Sequence, residues 1–298
     1  GGGANASGVK LKVHPDGTVT CYSGTQDLGT GTRTVIALVL AETFGLPVEG
    51  IQVNIGSSQY PASGGSGGST TVGGVSGPAR RAGLEALWKI YDLVANRYKV
   101  DVESLSANDG KIWSGEKEVC SWKQAASLTG PMGLETESSG AKNDGLTSDG
   151  VGGVQMAEVE VDTETGVVRM KKMVAVQDCG LIINELLAKS QVEGALIMGI
   201  AYALTEERIM DQQTGRFINA DLENYKLPRA GDVGELVVEM YQPDDEYARG
   251  VIGLGEPPVI APGAAISNAV ANAIGVRVPV LPLTPQRVLD ALAKGGTT

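Results

Sequence analysis

The chain has 298 residues, 42% hydrophobic and 20% charged, which suits a globular protein of one large domain or two smaller ones. A net charge of -11, with no basic run longer than Arg80-Arg81 or Lys171-Lys172, excludes a nucleic-acid surface. One histidine and three cysteines without a CxxC pair leave almost no material for a zinc site, a Ser-His-Asp triad or a disulfide scaffold, and no apolar stretch reaches membrane-spanning length.

Forty-two glycines against two phenylalanines predict many tight turns and close backbone approaches. Val9, Leu11 and Val13 alternate, Pro15-Asp16-Gly17 turns, and 18–23 continues as a second strand, a hairpin pattern in which His14 flanks the turn at the surface. Gln26-Asp27-Leu28-Gly29 follows, then an apolar-periodic helix over 34–44 that stops at Gly45. Ile51, Val53 and Ile55 alternate as a strand. A glycine-rich loop over 63–77 and a helix over 79–94 complete the unit.

The order then recurs. Residues 154–161 alternate, Thr163-Glu164-Thr165-Gly166 turns, and 167–176 returns as a strand. Gln177-Asp178-Cys179-Gly180 stands where Gln26-Asp27-Leu28-Gly29 stood. A helix over 184–204, interrupted by Gly194 and Gly199, precedes a strand over 236–240, a glycine-rich loop over 253–263 and a helix over 264–274 ended by Gly275. Between the copies, 111–113 and 118–122 form a small hairpin packed by Trp113 and Trp122, with a short helix over 123–128. Residues 130–153 read as an exposed connection, and 211–230 as a surface segment turning at 211–215. The predicted fold is α+β and two-layered. Duplicated hairpin–helix–strand–loop–helix units with mixed sheets divide it into 1–130, with the first glycine loop and the small hairpin, and 131–298.

Three glycine-rich segments could carry chemistry. In 61–71, Ser63, Ser66, Ser69, Thr70 and Thr71 alternate with glycines ahead of a helix, offering amides and hydroxyls to an anion or forming a plain surface loop. No lysine follows, so it is not a Walker loop. Gly29-Thr30-Gly31 presents a second set of amides at a helix start, or ordinary capping by Thr34 or a neighbour, and lacks the glycine spacing of a dinucleotide fingerprint. Gly253-Leu254-Gly255-Glu256-Pro257-Pro258 holds one carboxylate on a stiff loop, as an acid/base group or as an acid at a helix start. Gln191 sits in an apolar helix, bonded to a cofactor or satisfied by backbone.

Taken together, the 24–34 segment, Gly64 to Thr71, Gln191-Val192-Glu193-Gly194-Ala195 with the preceding Gln177-Asp178-Cys179-Gly180, Gly253 to Pro258 and the tail over 281–289 resemble a known family. The chain is similar to the carboxy-terminal half of the molybdenum-binding subunit of the xanthine dehydrogenase and aldehyde oxidase family, over essentially its whole length. The resemblance implies the cofactor-binding fold of that family and a molybdopterin cofactor with molybdenum, in bacterial members commonly the cytosine dinucleotide form. It places Glu256 as the active-site base and Gly255 beside the metal, and makes Gln191 a cofactor contact. Gly67, Gly68, Ser69, Thr70 and Thr71 match the segment at the pterin phosphates. Gly29, Thr30 and Gly31 match a Gly-Gln-Gly contact, with the shorter Thr30 replacing the glutamine.

The implied chemistry is hydroxylation of an aldehyde or N-heterocycle with water as oxygen source. Glu256 would remove a proton as oxygen attacks an electron-poor carbon, its own pKa raised by partial desolvation. No side chain of this chain is expected to bind the metal directly. The resemblance also implies an absent amino-terminal half, an iron–sulfur subunit carrying 2Fe-2S clusters, and an FAD-bearing partner. A cytoplasmic location is expected, or a periplasmic one through a partner's signal, and the isolated chain is expected to be inactive. The alternatives are a non-catalytic cofactor-binding or assembly module of the same fold, or a nucleotide-binding protein using 66–71.

Overall fold

The computed structural model describes residues 6–140, 150–244 and 246–295. The chain folds as two compact units. The first comprises Gly1–Gly150, Cys179–Asn184 and Pro243–Leu254, the second Val151–Asp178, Glu185–Gln242 and Gly255–Thr298.

In the first unit, β1 (Gly8–Val13) and β2 (Val19–Ser23) form the expected hairpin. Val9, Leu11 and Val13 are fully buried, while Lys10 and Lys12 point away and pair with Glu135. Helix α1 (Thr32–Phe44) ends at Gly45, whose φ of 61° is a left-handed cap; its amide bonds the carbonyls of Ala41 and Glu42. The chain returns through β3 (Ile51–Ile55), parallel to β2.

Helix α2 (Thr71–Tyr98) begins eight residues before the predicted 79–94, so much of the expected 63–77 loop is helical. Propensity argues against a helix through Gly73, Gly74, Gly77 and Pro78, and packing overrides it. A Cβ at Gly73 would lie 2.5 Å from the Ile252 carbonyl oxygen, so that turn needs glycine because another backbone lies against it. Further along, Ala79, Ala82, Ala86 and Ile90 are buried.

A small antiparallel sheet of β4 (Leu105–Asn108), β5 (Lys111–Ser114) and β6 (Lys117–Ser121) follows. Its predicted hairpin is present, but Trp122 starts helix α3 (Trp122–Ser127), capped by Ser121. The Trp122 ring is buried against Phe44, and its Nε1 donates to the Gly17 carbonyl at 2.8 Å. Residues 130–153 are not simply an exposed connection. Strand β7 (Leu134–Ser139) pairs along the whole of β1, and β8 already begins at Gly152; residues 141–149 lie outside the described residues. The sequence missed β7 because its apolar content is slight: Leu134 is its sole aliphatic residue, and its buried Thr136 hydroxyl bonds the Ala82 carbonyl at 2.8 Å. The boundary read at 130/131 thus falls before a strand of the first sheet.

In the second unit, β8 (Gly152–Val161) and β9 (Val168–Asp178) pair antiparallel, α4 (Glu185–Leu204) follows, and β10 (Glu235–Met240) pairs parallel with β9. This repeats the β1, β2, α1, β3 order, with sheet orders β3-β2-β1-β7 and β10-β9-β8. A four-residue helix α5 (Glu246–Arg249), which belongs to the first unit, precedes α6 (Pro262–Ile274) and α7 (Pro285–Gly295) of the second. Buried Met173, Leu196, Ile200 and Ile266 form the second core.

Helix α4 is continuous through Gly194 and Gly199. Gly199 is there for contact: a Cβ would meet the Pro262 side chain at 2.2 Å. Gly199→Ala is therefore expected to destabilise the protein by about 1–3 kcal/mol, as overpacking does. Urea unfolding of the variant checks this.

Candidate functional site

In the first unit the glycine loops are held by a Gln-Asp pair that sequence reasoning noticed only as a repeat marker. The Asp27 carboxylate accepts from the amides of Gly29 at 3.0 Å, Gly31 at 3.1 Å and Arg33 at 3.2 Å. The amides expected to be bare at Gly29 and Gly31 are thus occupied by this chain's own carboxylate. Burial works against the charged form of Asp27; the amides of Arg33, Gly29 and Gly31, with the Arg33 charge, outweigh it and hold the carboxyl below its ordinary 3.8. Gly29 and Thr30 remain exposed at the tip.

Gln26 ties this turn to the glycine loop ahead of α2. Its Oε1 accepts from the Ser66 amide at 2.8 Å, and its Nε2 donates to the Gly24 carbonyl at 3.1 Å. The loop then passes through Gly68 and Ser69, both at φ 63°, a region where serine is uncommon. The Thr70 hydroxyl donates to the Gly67 carbonyl at 2.9 Å. Gly67 and Gly68 are exposed, and a Cβ at Gly67 would meet nothing within 4 Å. Thr70, at the amino cap of the 28-residue α2, makes no side-chain cap bond, and the helix start presents main-chain donors behind this open loop.

These features fit a phosphate-bearing group: an open glycine loop, a helix amino terminus without a cap bond from Thr70, and hydroxyls at Ser69, Thr70 and Thr71. The buried hydroxyls of Thr25 and Thr32, flanking the Gly29–Gly31 turn, have no hydrogen-bond partner among the described residues. Behind the loop, a Cβ at Gly253 would lie 2.8 Å from the Ser69 carbonyl oxygen and 3.5 Å from the Gly73 amide nitrogen. Gly253 has φ 104°, so both its conformation and its neighbours require glycine. Gly253 of the first unit therefore lies directly against Ser69.

In the second unit the Gly255-Glu256-Pro257-Pro258 segment makes a short 3-10 turn, Pro257–Val259. Gln191 Nε2 donates to the Gly255 carbonyl at 2.9 Å, so this amide is bonded to backbone as the plainer reading of it had it. Gln155 Nε2 donates to the Pro258 carbonyl at 2.7 Å. The Tyr202 hydroxyl donates to the Val259 carbonyl and accepts from the Gly263 amide, both at 3.0 Å. Gln155 and Tyr202 were not singled out in the sequence, since neither belongs to a local motif. Pro258 is buried while Glu256 is exposed.

The structure thus joins Gly67–Thr71 with Gly29–Gly31 through Gln26 in one unit, and Gln191 with Gly255 and Glu256 in the other. Among the described residues no cluster of three or more His, Cys, Asp or Glu side chains could hold a metal ion, and no helix is long and apolar enough to cross a membrane. Cys21, Cys120 and Cys179 are all buried.

Residues 1–234 match the family described as molybdopterin cofactor-binding domain. The chain is 34% identical over 294 residues to the aldehyde oxidoreductase molybdenum-binding subunit PaoC of Escherichia coli O157:H7, covering 96% of this chain and 38% of the relative. It is 33% identical over 304 residues to the xanthine dehydrogenase molybdenum-binding subunit of the same organism, covering 99% of this chain and 40% of that protein. Quinoline 2-oxidoreductase from Pseudomonas putida 86 shares the fold, with a TM-score of 0.85 at 22% identity over 97% of this chain and 38% of the other. The chain thus spans well under half the length of the relatives it matches.

Because the folded-state pKa of Asp27 is depressed, its contribution is present above the ordinary carboxyl value of 3.8 and is lost as pH falls through the folded value. Asp27→Asn is expected to cost about 1 kcal/mol at neutral pH, as loss of a capping carboxylate does. Wild type and variant should converge in acid. Urea unfolding across the acid range measures both.

Proposed function

We propose, on the premise that this chain belongs to the molybdopterin cofactor-binding domain family, that it is the cofactor-holding and base-supplying part of a molybdenum hydroxylase acting on an aldehyde or an N-heterocycle. The observation that carries this reading is the exposed Gly67-Gly68 loop ahead of α2, whose amino-cap residue Thr70 makes no side-chain cap bond. A helix amino terminus behind an exposed glycine loop suits a phosphate-bearing cofactor, and the Glu256 carboxylate is of the type that serves as a base.

In this reading Gly67, Gly68, Ser69, Thr70 and Thr71 take the phosphate end of molybdopterin with main-chain amides and hydroxyls. Gly29, Thr30 and Gly31 form a second contact, to which the Thr30 side chain adds one short hydroxyl. Gln191 and Gly255 support the end nearer the metal. The cytosine dinucleotide form is favoured for the cofactor. When bound, the cofactor supplies the two-electron redox change and an oxygen drawn from water. Glu256 takes up a proton at a carboxylate oxygen and gives it back to solvent, which its exposed position allows.

Electrons leaving such a centre need 2Fe-2S clusters and, in some assemblies, FAD. This chain's three buried, separated cysteines do not offer a cluster site, so we assign those groups to partner chains. The rest of a longer molybdenum subunit would complete the substrate pocket, and the chain by itself would not turn over.

In the complete molybdenum-containing assembly, Glu256→Gln is expected to lower turnover of aldehydes or heterocycles by about 10²–10⁴-fold, the usual contribution of a general base. Molybdenum content and unfolding midpoint should stay at wild-type values. Turnover retained in that variant would remove Glu256 from the role.

A further inference from the structure

The five consecutive carbonyl oxygens from Gly255 to Val259 each have an identified donor. Gly255 is held by Gln191, Pro258 by Gln155 and Val259 by Tyr202. The Glu256 carbonyl accepts from the Val259 amide at 3.0 Å, and that of Pro257 from the Ile260 amide at 3.2 Å. Glu256 itself sits at φ -79° and ψ -29°, an ordinary right-handed conformation, so its backbone geometry alone does not single out one presentation. Pro257 and Pro258 fix their own φ and leave ψ to their bonding partners.

Two of these partners have features that stability alone does not explain. Gln155 uses its amide on the Pro258 carbonyl while its buried Oε1 has no hydrogen-bond partner among the described residues. Leaving a buried acceptor unpaired is unfavourable, and an apolar side chain at that strand position would avoid it. Tyr202 acts as a helix cap supplied from another helix. Ala261, at the amino cap of α6, has no side-chain cap bond, and the Tyr202 hydroxyl takes the Gly263 amide instead while donating to Val259. A Cβ at Gly263 would meet the Tyr202 ring at 2.4 Å, so the close approach depends on glycine.

We propose that Gln155 and Tyr202 are positioning residues for Glu256, fixing the 255–263 backbone from β8 and α4 so that the carboxylate is presented in one orientation. The proposal rests on the reading of Glu256 as the base. Orientation of a reacting group is worth large factors in rate, and a displacement of about 1 Å costs about 10²-fold.

The test uses Tyr202→Phe, Gln155→Leu and Glu256→Gln in the complete molybdenum-containing assembly. It measures amide hydrogen exchange, urea unfolding, molybdenum content, kcat and KM. In the first two variants exchange over 255–263 is expected to accelerate while exchange elsewhere does not, and kcat to fall by about 10²-fold at unchanged KM and molybdenum content. Gln155→Leu is the sharper variant, because it removes one unpaired acceptor while unpairing the Pro258 carbonyl, so the unfolding midpoint should stay near the wild-type value while kcat still falls. Unchanged exchange in both variants overturns the clamp. Faster exchange with wild-type kcat, alongside an inactive Glu256→Gln, overturns positioning and leaves the base reading intact. Turnover retained in Glu256→Gln overturns the base reading and the catalytic meaning of the clamp with it, while the exchange data still report whether the loop is held.

Discussion

A turn containing Pro257, Pro258 and Pro262 has lost three amide protons that would otherwise bond its own carbonyl oxygens. Those oxygens need donors from elsewhere, and the second unit is arranged to bring them. Gln191 and Tyr202 project from α4, Gln155 from β8, and the glycines at 199 and 263 let α4 and the start of α6 approach closely enough for the bonds to form. The prolines that stiffen the segment around Glu256 are therefore also the reason its neighbours carry amides and a phenol. Rigidity here is shared between covalent rings and borrowed hydrogen bonds.

The first unit meets a related problem with charge. Near Gly29 and Gly31 several amides point the same way, and Asp27 satisfies them with an ionised carboxylate. At the amino terminus of α2 Thr70 makes no side-chain cap bond, and glycines keep the approach open. The two helix starts thus differ, one bonded by an internal carboxylate and the other without a cap bond from its amino-cap residue. Gln26 links them through the Ser66 amide. The same Gln-Asp pair in the second repeat is used differently: Gln177 is buried and bonds the Gly152 and Asp178 carbonyls.

Much of this was legible in the sequence because the signals were local. The alternation of Val9, Leu11 and Val13, the stop at Gly45 and the recurrence of Gln-Asp-x-Gly gave the hairpins, the helix and the duplication. The failures share a cause. Helix α2 extends through Gly73, Gly74, Gly77 and Pro78 because another backbone packs on Gly73, a contact between residues far apart in sequence. Strand β7 carries little apolar signal and exists because β1 offers it an edge. The candidate site divides in the same way. Glu256 and the glycine loops announce themselves by composition, whereas Gln155 and Tyr202 act through partners more than 50 residues away and leave no motif.

The interleaved path of the chain bears on how the molecule is made. Segment Pro243–Leu254 belongs to the first compact unit, although long stretches of the second precede it. On a ribosome adding about 5–20 residues per second, α2 would emerge roughly ten to forty seconds before Ile252 and Gly253 arrive to cover Gly73 and Ser69. During that interval the glycine-rich start of α2 lacks the backbone that makes it helical, and nascent chains would hold it loosely. The glycine loop would then be among the last parts of its unit to mature, only after residues 251–253 have been made.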